Sequence, residues 1–414
     1  MDCAKLKADI ERLREARNAF DAAATEANDT GLGKIKCNEA MNQASELEDE
    51  ILRAYMEDAR EHNSELFPRF HYGEKIFGFH RSIFSTMKLS DSEVLVCGDY
   101  SETRILRKDK DGLWNYDRNS IDGFGDATRI CSTLRLSDNE VLVCGIGETR
   151  ILRKDKDGLW NYDSNSIDGF GGGAMGSTLR LSDNEVLVCG NSKTRILRKG
   201  EDGSWNYDGN SIDGLDYNIA CSTLKLSDNE VLVCSDGKTR ILRKGEDDLW
   251  GHDGNSIDRF NGSTIRSTLK LSDSEVLVCG DRIRRSGGTC ILRKGEDGLW
   301  NYDSNSIDGF DRDAYSTLKL SDDEVLVCGE GFPAKSEACI LRKGEDGSWN
   351  YDSNNIDGFF NAVFSTLKLS DNEVLVCGND GETRILHTDR EIDLDKLKQK
   401  LPEIAAKKDE ARTI

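Results

Sequence analysis

Most of this 414-residue chain is one cassette written seven times. It opens Ser-Thr-Leu-Lys-Leu-Ser-Asp-Asn-Glu-Val-Leu-Val-Cys-Gly, passes a short variable stretch, and resumes Thr-Arg-Ile-Leu-Arg-Lys-Gly-Glu-Asp-Gly-Leu-Trp-Asn-Tyr-Asp-Ser-Asn-Ser-Ile-Asp-Gly-Phe before a second variable stretch. The copies begin at Ser85, Ser132, Ser177, Ser222, Ser267, Ser316 and Ser365, spaced 45 to 49 residues apart. A unit of this length cannot bury both of its faces alone. Each copy must therefore pack on its neighbours, and the fold must present the same two surfaces at every repeat.

The second copy shows what one unit contains. Thr133 to Leu136 alternates, Ser137-Asp138-Asn139 turns, and Glu140 to Cys144 is a β-branched run with Val141 and Val143 on one side and Leu142 and Cys144 on the other. Thr149 to Lys154 is a third run, Asp157-Gly158 is a hairpin signal, and Leu159-Trp160-Asn161-Tyr162 opens a fourth strand read as reaching Ile167-Asp168-Gly169-Phe170. No helical period fits. Four antiparallel strands per copy, at this period, are the blade of a β-propeller.

Closure is legible at the ends of the repeat region. The seventh copy stops near His387, one strand short, while the segment from Leu66 to Phe84 ends Ile76-Phe77-Gly78-Phe79 and matches the Ile-Asp-Gly-Phe that precedes each new copy. The expected architecture is an all-β, seven-bladed propeller over residues 66–388, closed by pairing of its N- and C-terminal strands. Residues 1–65 read as an α-helical hairpin or coiled coil, from Leu6, Ile10, Leu13, Phe20 and from Met41, Leu47, Ile51, Tyr55, with a break at Asn28 to Gly33. Residues 389–414 read as a short helical tail. The hairpin can cap the chain itself or form a homodimer through residues 3–64.

This layout resembles the WD-repeat β-propellers, whose sequence unit is likewise offset so that its fourth strand begins the blade finished by the next unit. Thr149-Arg150-Ile151-Leu152-Arg153 stands where that family has its Trp-Asp ending, and Gly169-Phe170 where it often has Gly-His. Both signature pairs are absent, so the family's Asp-His-Ser-Trp hydrogen-bond network does not carry over. The Gly-Glu-Asp-Gly-Leu-Trp turns are also similar to the Asp-box hairpins of sialidase-type propellers, without meeting their spacing. The WD-repeat resemblance implies recognition or scaffolding.

Charge and composition narrow the function. With 56 basic and 77 acidic residues the net charge is −21, which repels nucleic-acid backbones and anionic membranes. Neither nucleic acid nor membrane is expected as a partner. The N-terminal residues lead into charged sequence, and a cytoplasmic location is the expectation. Of 13 cysteines, seven (Cys97, Cys144, Cys189, Cys234, Cys279, Cys328, Cys377) recur at one position of the second strand and read as buried free thiols. Cys290 and Cys339 replace an arginine of the third strand. No metal or cofactor is expected: Cys and His lack zinc spacing, and Asp163-Ser164-Asn165-Ser166-Ile167-Asp168-Gly169 is one residue too long for a calcium loop.

A propeller sends the first-to-second and third-to-fourth turns to one face and the remaining loops to the other. The first set hardly changes between copies. The second set carries every length difference, including the long loops Gly280 to Gly288 and Gly329 to Glu337. Aromatic, arginine and lysine residues on that variable face are the candidate partner-binding set: Tyr100, Arg129, Tyr217, Arg282, Arg284, Arg285, Tyr315, Phe332, Lys335 and Phe360. A second candidate is a central-channel anion site formed by one cation per opening strand: Lys88, Arg135, Arg180, Lys225, Lys270, Lys319 and Lys368. Pairing of those cations with nearby carboxylates is the alternative.

No catalytic constellation stands out among the five histidines or elsewhere, and near-identical blades leave little room for an asymmetric active site. The expected function is a non-enzymatic recognition or scaffold module for a protein or peptide. A sialidase-like glycoside hydrolase with its site near the long loops of the fifth and sixth blades, and a structural oligomer built through the hairpin, are the alternatives.

Overall fold

A computed structural model describes residues 70–388, apart from 125–128, 168–174, 191–192, 213–219, 236–237, 258–263, 282–287, 304–306, 308–312, 331–335, 353–355, 357–358 and 360–361. Residues Tyr72–Leu386 form one compact unit. The expected N-terminal hairpin and C-terminal helix lie outside the described residues. Those residues form seven four-stranded antiparallel sheets, and their only helical elements are two short 3-10 turns, Asp99–Ser101 and Asn379–Gly381. None contains a helix long and apolar enough to cross a membrane.

Blade one shows the common plan: an inner strand Ile83–Ser90, then Glu93–Gly98, Thr103–Lys108 and a short outer strand Trp114–Tyr116, in that spatial order. Every residue of Glu93–Gly98 is buried, as a strand covered on both faces requires. The alternation seen in the sequence separates two cores. Val94 and Val96 pack with Leu375, Cys377 and Ile385 of blade seven, whereas Leu95 and Cys97 pack with Val141, Val143 and Leu152 of blade two. Blade one is thus sandwiched between the second and the last, and the ring is closed.

The seventh blade takes strands from both ends of the repeat region. Val363–Lys368, Glu373–Gly378 and Thr383–His387 come from the last copy, and His71–Tyr72 is the outer strand. The Gly73 amide donates to Ile385 O and the Ile76 amide to Thr383 O, both at 2.8 Å, the same pair of bonds that Asp117 and Ile121 make to Ile105 and Thr103 in blade one.

The outer strand is shorter than its sequence suggests except in blades three and four, where it runs Trp205–Ser211 and Trp250–Ser256. In blade two regular pairing ends at Tyr162, and Asp163 and Ile167 then each return one backbone bond to the third strand, at 2.8 and 2.7 Å. The Asp-Ser-Asn segment between them bulges away, as residues prone to Asx turns do. The hairpin before each outer strand needs a left-handed residue. Gly112, Gly158, Gly203, Gly298 and Gly347 supply it at φ 77–84°, and Asp248 adopts φ 62° in blade four.

Two repeated polar contacts tie blade to blade. Around the channel, the serine that opens each copy lies 2.8 Å from the threonine of the next: Ser85–Thr133, Ser132–Thr178, Ser177–Thr223, Ser222–Thr268, Ser267–Thr317, Ser316–Thr366 and Ser365–Thr86. Toward the rim, the outer-strand tyrosine reaches the third-strand threonine of the preceding blade, as in Tyr162–Thr103 at 3.0 Å and Tyr116–Thr383 at 2.9 Å. Burial pushes both of these phenols well above their ordinary pKa.

Candidate functional site

The face formed by the Ser-Asp turns and the Asp-Gly hairpins is built from ion pairs. Glu93 is 8% exposed and accepts from Arg107 of its own blade and, at 3.0 Å, from Lys154 of the next. The same lysine nitrogen sits 5.6 Å from the centroid of Trp160. Lys108–Glu373 at 2.8 Å and Lys294–Glu230 at 3.1 Å repeat the arrangement at other junctions. These turns therefore carry side chains that join blades, which is a physical reason for them to stay alike.

The seven channel cations end on this face. Lys88, Arg135, Arg180, Lys225, Lys270, Lys319 and Lys368 each bind the aspartate three residues on, at 2.8–3.1 Å. The five lysines also donate to a leucine carbonyl of the preceding blade, at 2.7–3.4 Å. Hydrogen bonds from their lysines hold Asp91, Asp228, Asp273 and Asp322 below the usual carboxylate range. The structure thus places the expected cation ring as seven ion pairs, with a compensating carboxylate at every cation.

The variable face has a different chemistry. Its channel mouth is lined by the residue just before each opening serine, among the described residues Phe84, Cys131, Gly176, Arg266, Tyr315 and Phe364. Four of these and Arg129 form a continuous arc over blades five, six, seven, one and two. The Arg266 guanidinium lies 5.7 Å from the Tyr315 ring centroid, Tyr315 is 5.3 Å from Phe364, Phe364 stacks on Phe84 at 5.1 Å, and the Arg129 guanidinium caps Phe84 at 4.5 Å. Carboxylates hold both ends: Arg129 Nε donates to Asp99 Oδ1 at 2.7 Å, and Arg266 donates to both oxygens of Asp281 at 2.9 and 3.2 Å. Tyr315 OH donates to Glu330 at 2.8 Å. Burial and that carboxylate raise the Tyr315 pKa.

Beside the arc, on blade one, lies a cleft of about 330 Å³ lined by His80, Arg81, Tyr100, Glu102, Arg104 and Asp122 among others. Glu102 accepts from Arg104 Nε at 2.8 Å and from the His80 amide at 3.2 Å. Tyr100 projects from the rim with 61% of its surface exposed, and the Arg81 guanidinium lies 4.7 Å from its ring centroid. Phe77, 80% exposed, stands where other copies have the aspartate of Ile-Asp-Gly-Phe.

Of the partner-binding residues expected from sequence, Arg129 and Tyr315 belong to the arc and Tyr100 to the cleft. Tyr217, Arg282, Arg284, Arg285, Phe332, Lys335 and Phe360 lie outside the described residues. Phe84, Phe364, Arg266 and Arg81 were not singled out by sequence. The signal was available: the position before each opening serine varies from Gly to Phe while the next three residues barely change. The seven second-strand cysteines are buried and form no disulfide among the described residues.

No protein-family model matches this chain, and no curated protein does. Solved structures match its fold. The WD40 β-propeller domain of Doa1 is 15% identical with a TM-score of 0.58, covering 77% of this chain and 97% of that one. YCF48 bound to D1 peptide is 11% identical with a TM-score of 0.54, covering 77% and 96%. Virginiamycin B lyase from Staphylococcus aureus is 12% identical with a TM-score of 0.55, covering 77% and 99%. Identities this low establish fold alone, and the fold is a WD-repeat-like, seven-bladed β-propeller.

Proposed function

We propose that the chain is a non-enzymatic recognition module that binds a protein or peptide across the variable face of the propeller. The observation that carries this reading is the arc Arg266–Tyr315–Phe364–Phe84–Arg129. It sets three aromatic rings and two half-exposed guanidiniums side by side at the channel mouth, residue types that are enriched in protein interfaces. The arc is held by ring stacking and ion pairs within the propeller, so little ordering entropy is lost when a partner docks on it. Among structures of similar fold, YCF48 is seen with a bound peptide, which supports the same use here.

The test is capture from native lysate by the intact protein and by an Arg129→Glu, Arg266→Glu variant. Both side chains are about half exposed, so the variant is expected to keep its unfolding transition while losing a specific partner. Retention of the same partner by the variant would remove the arc from recognition. Glycoside substrates are expected to pass through unchanged, and their turnover would favour the hydrolase reading instead.

A further inference from the structure

We propose that the blade-one cleft receives one acidic side chain of the bound peptide, with Arg81 as its receptor; this deepens the recognition reading above and rests on it. Two guanidiniums line the cleft, and they are in different states. Arg104 is committed: its Nε bonds Glu102 and its Nη1 bonds the carbonyls of Asp117 and Arg118 at 3.2 and 3.3 Å. Arg81 is exposed, lies over Tyr100, and makes no ion pair or hydrogen bond among the described residues. Its planar fork of donors is therefore open, and that geometry matches a carboxylate through two parallel bonds.

The backbone beside it points the same way. Tyr100 and Ser101 both occupy the left-handed region, at φ 54° and 59°. In the corresponding turn of blade seven the two positions are Asp380 and Gly381, residue types that adopt this conformation readily. Blade one instead forces a bulky aromatic there. What the strained conformation achieves is a ring held against Arg81, which fixes the plane of the guanidinium at the mouth of the cleft.

The charge of the occupant follows from the walls. Glu102 and Asp122 both line the cleft, and Asp122 already accepts from the Ser120 hydroxyl at 3.2 Å. Arg104 already offsets Glu102, so among the described residues Arg81 is the single uncommitted cation of the cleft, and one guanidinium is matched by a monoanion. A phosphate dianion would meet repulsion that a single arginine does not offset.

The experiment passes three pools of dodecapeptides, with randomised flanks free of Asp and Glu, over the immobilised full-length protein. One pool carries a fixed central Glu with both ends blocked, the second a central Gln with both ends blocked, and the third the central Gln with a free C-terminal carboxylate. About tenfold greater retention of the Glu pool is expected, as for one bidentate charge-assisted contact. That preference should vanish in Arg81→Gln and in Tyr100→Gly, each with its unfolding midpoint unchanged or raised. Equal retention of the three pools, no retention of any, preference for the free C-terminus, or a Glu preference that survives Arg81→Gln would each overturn the inference. The wider reading fails by a different result, retention of the lysate partner by the Arg129→Glu, Arg266→Glu variant.

Discussion

Ser365 Oγ lies 2.8 Å from Thr86 Oγ1, across 279 residues of chain. It is the same contact that Ser177 makes with Thr223 46 residues away, yet this copy joins the last inner strand to the first. Each pair is part-buried, so removing one partner orphans the other at a cost of about 1 kcal/mol. A double-mutant cycle with Ser365→Ala and Thr86→Val, read by urea unfolding, is expected to give the coupling energy found for Ser177→Ala with Thr223→Val. Zero coupling at the first pair and a finite value at the second would mean that the ring does not shut through its inner strands.

The rim contact has a defect that makes a sharper test. Tyr72 occupies in blade seven the place of Tyr116 in blade one, but the threonine it should reach in blade six is Ala338. Among the described residues its buried hydroxyl consequently has no hydrogen-bond partner, and burial raises its pKa far above the ordinary value. Ala338→Thr should supply the missing oxygen and stabilise the protein by about 1 kcal/mol, whereas Thr383→Ala, which orphans Tyr116, should destabilise it by a similar amount. A lower urea midpoint for Ala338→Thr would show that the buried site does not accommodate the added hydroxyl and methyl.

Blade boundaries were legible in the sequence because strand alternation has a period of two and the cassette repeats without drift. The assignment of Val141 and Val143 to one side and Leu142 and Cys144 to the other appears in the structure as two separate interblade cores. In blade two the regular outer strand stops at Tyr162 because Ile167 rejoins the sheet by one backbone bond after a bulge, which an apolar residue in the right place does not reveal. At the site, loop length drew attention to the long insertions. The arc depends instead on register: the inner strand brings the side chains at 84, 315 and 364 together at the channel mouth, whatever the loop before each one does. At the seven channel cations, the aspartate three residues on is the sequence sign of the counter-ion that each one meets in the structure.

Burial of the second-strand thiols sets an alkaline limit. Desolvation raises Cys97, Cys144, Cys189, Cys279 and Cys377 from 9.0 to about 12. The unfolded chain then releases these protons from about pH 9, while the folded one retains them to about pH 12. Stability is fully present below pH 9 and declines as pH rises toward 12, by about 1.4 kcal/mol per unit for each such thiol. Cooperative unfolding between pH 9 and 12 is expected, with the same cysteines unreactive toward iodoacetamide at pH 8 until the protein unfolds. Rapid labelling of Cys97 or Cys189 in the native state, read by peptide mass, would contradict the burial.

The two faces should also differ in what a substitution costs. Glu93 receives Arg107 and Lys154 from two blades with little solvent to replace them, so Glu93→Gln is expected to destabilise the fold by about 1–3 kcal/mol. Arg266 is about half exposed and its pair with Asp281 lies at the surface, so Arg266→Ala should cost under about 1 kcal/mol. Urea midpoints of the two variants decide it. If Arg266→Ala proved the more damaging, the variable face would be a structural element of the ring, and the uniformity of the opposite turns would need another cause than the ion pairs that cross from blade to blade.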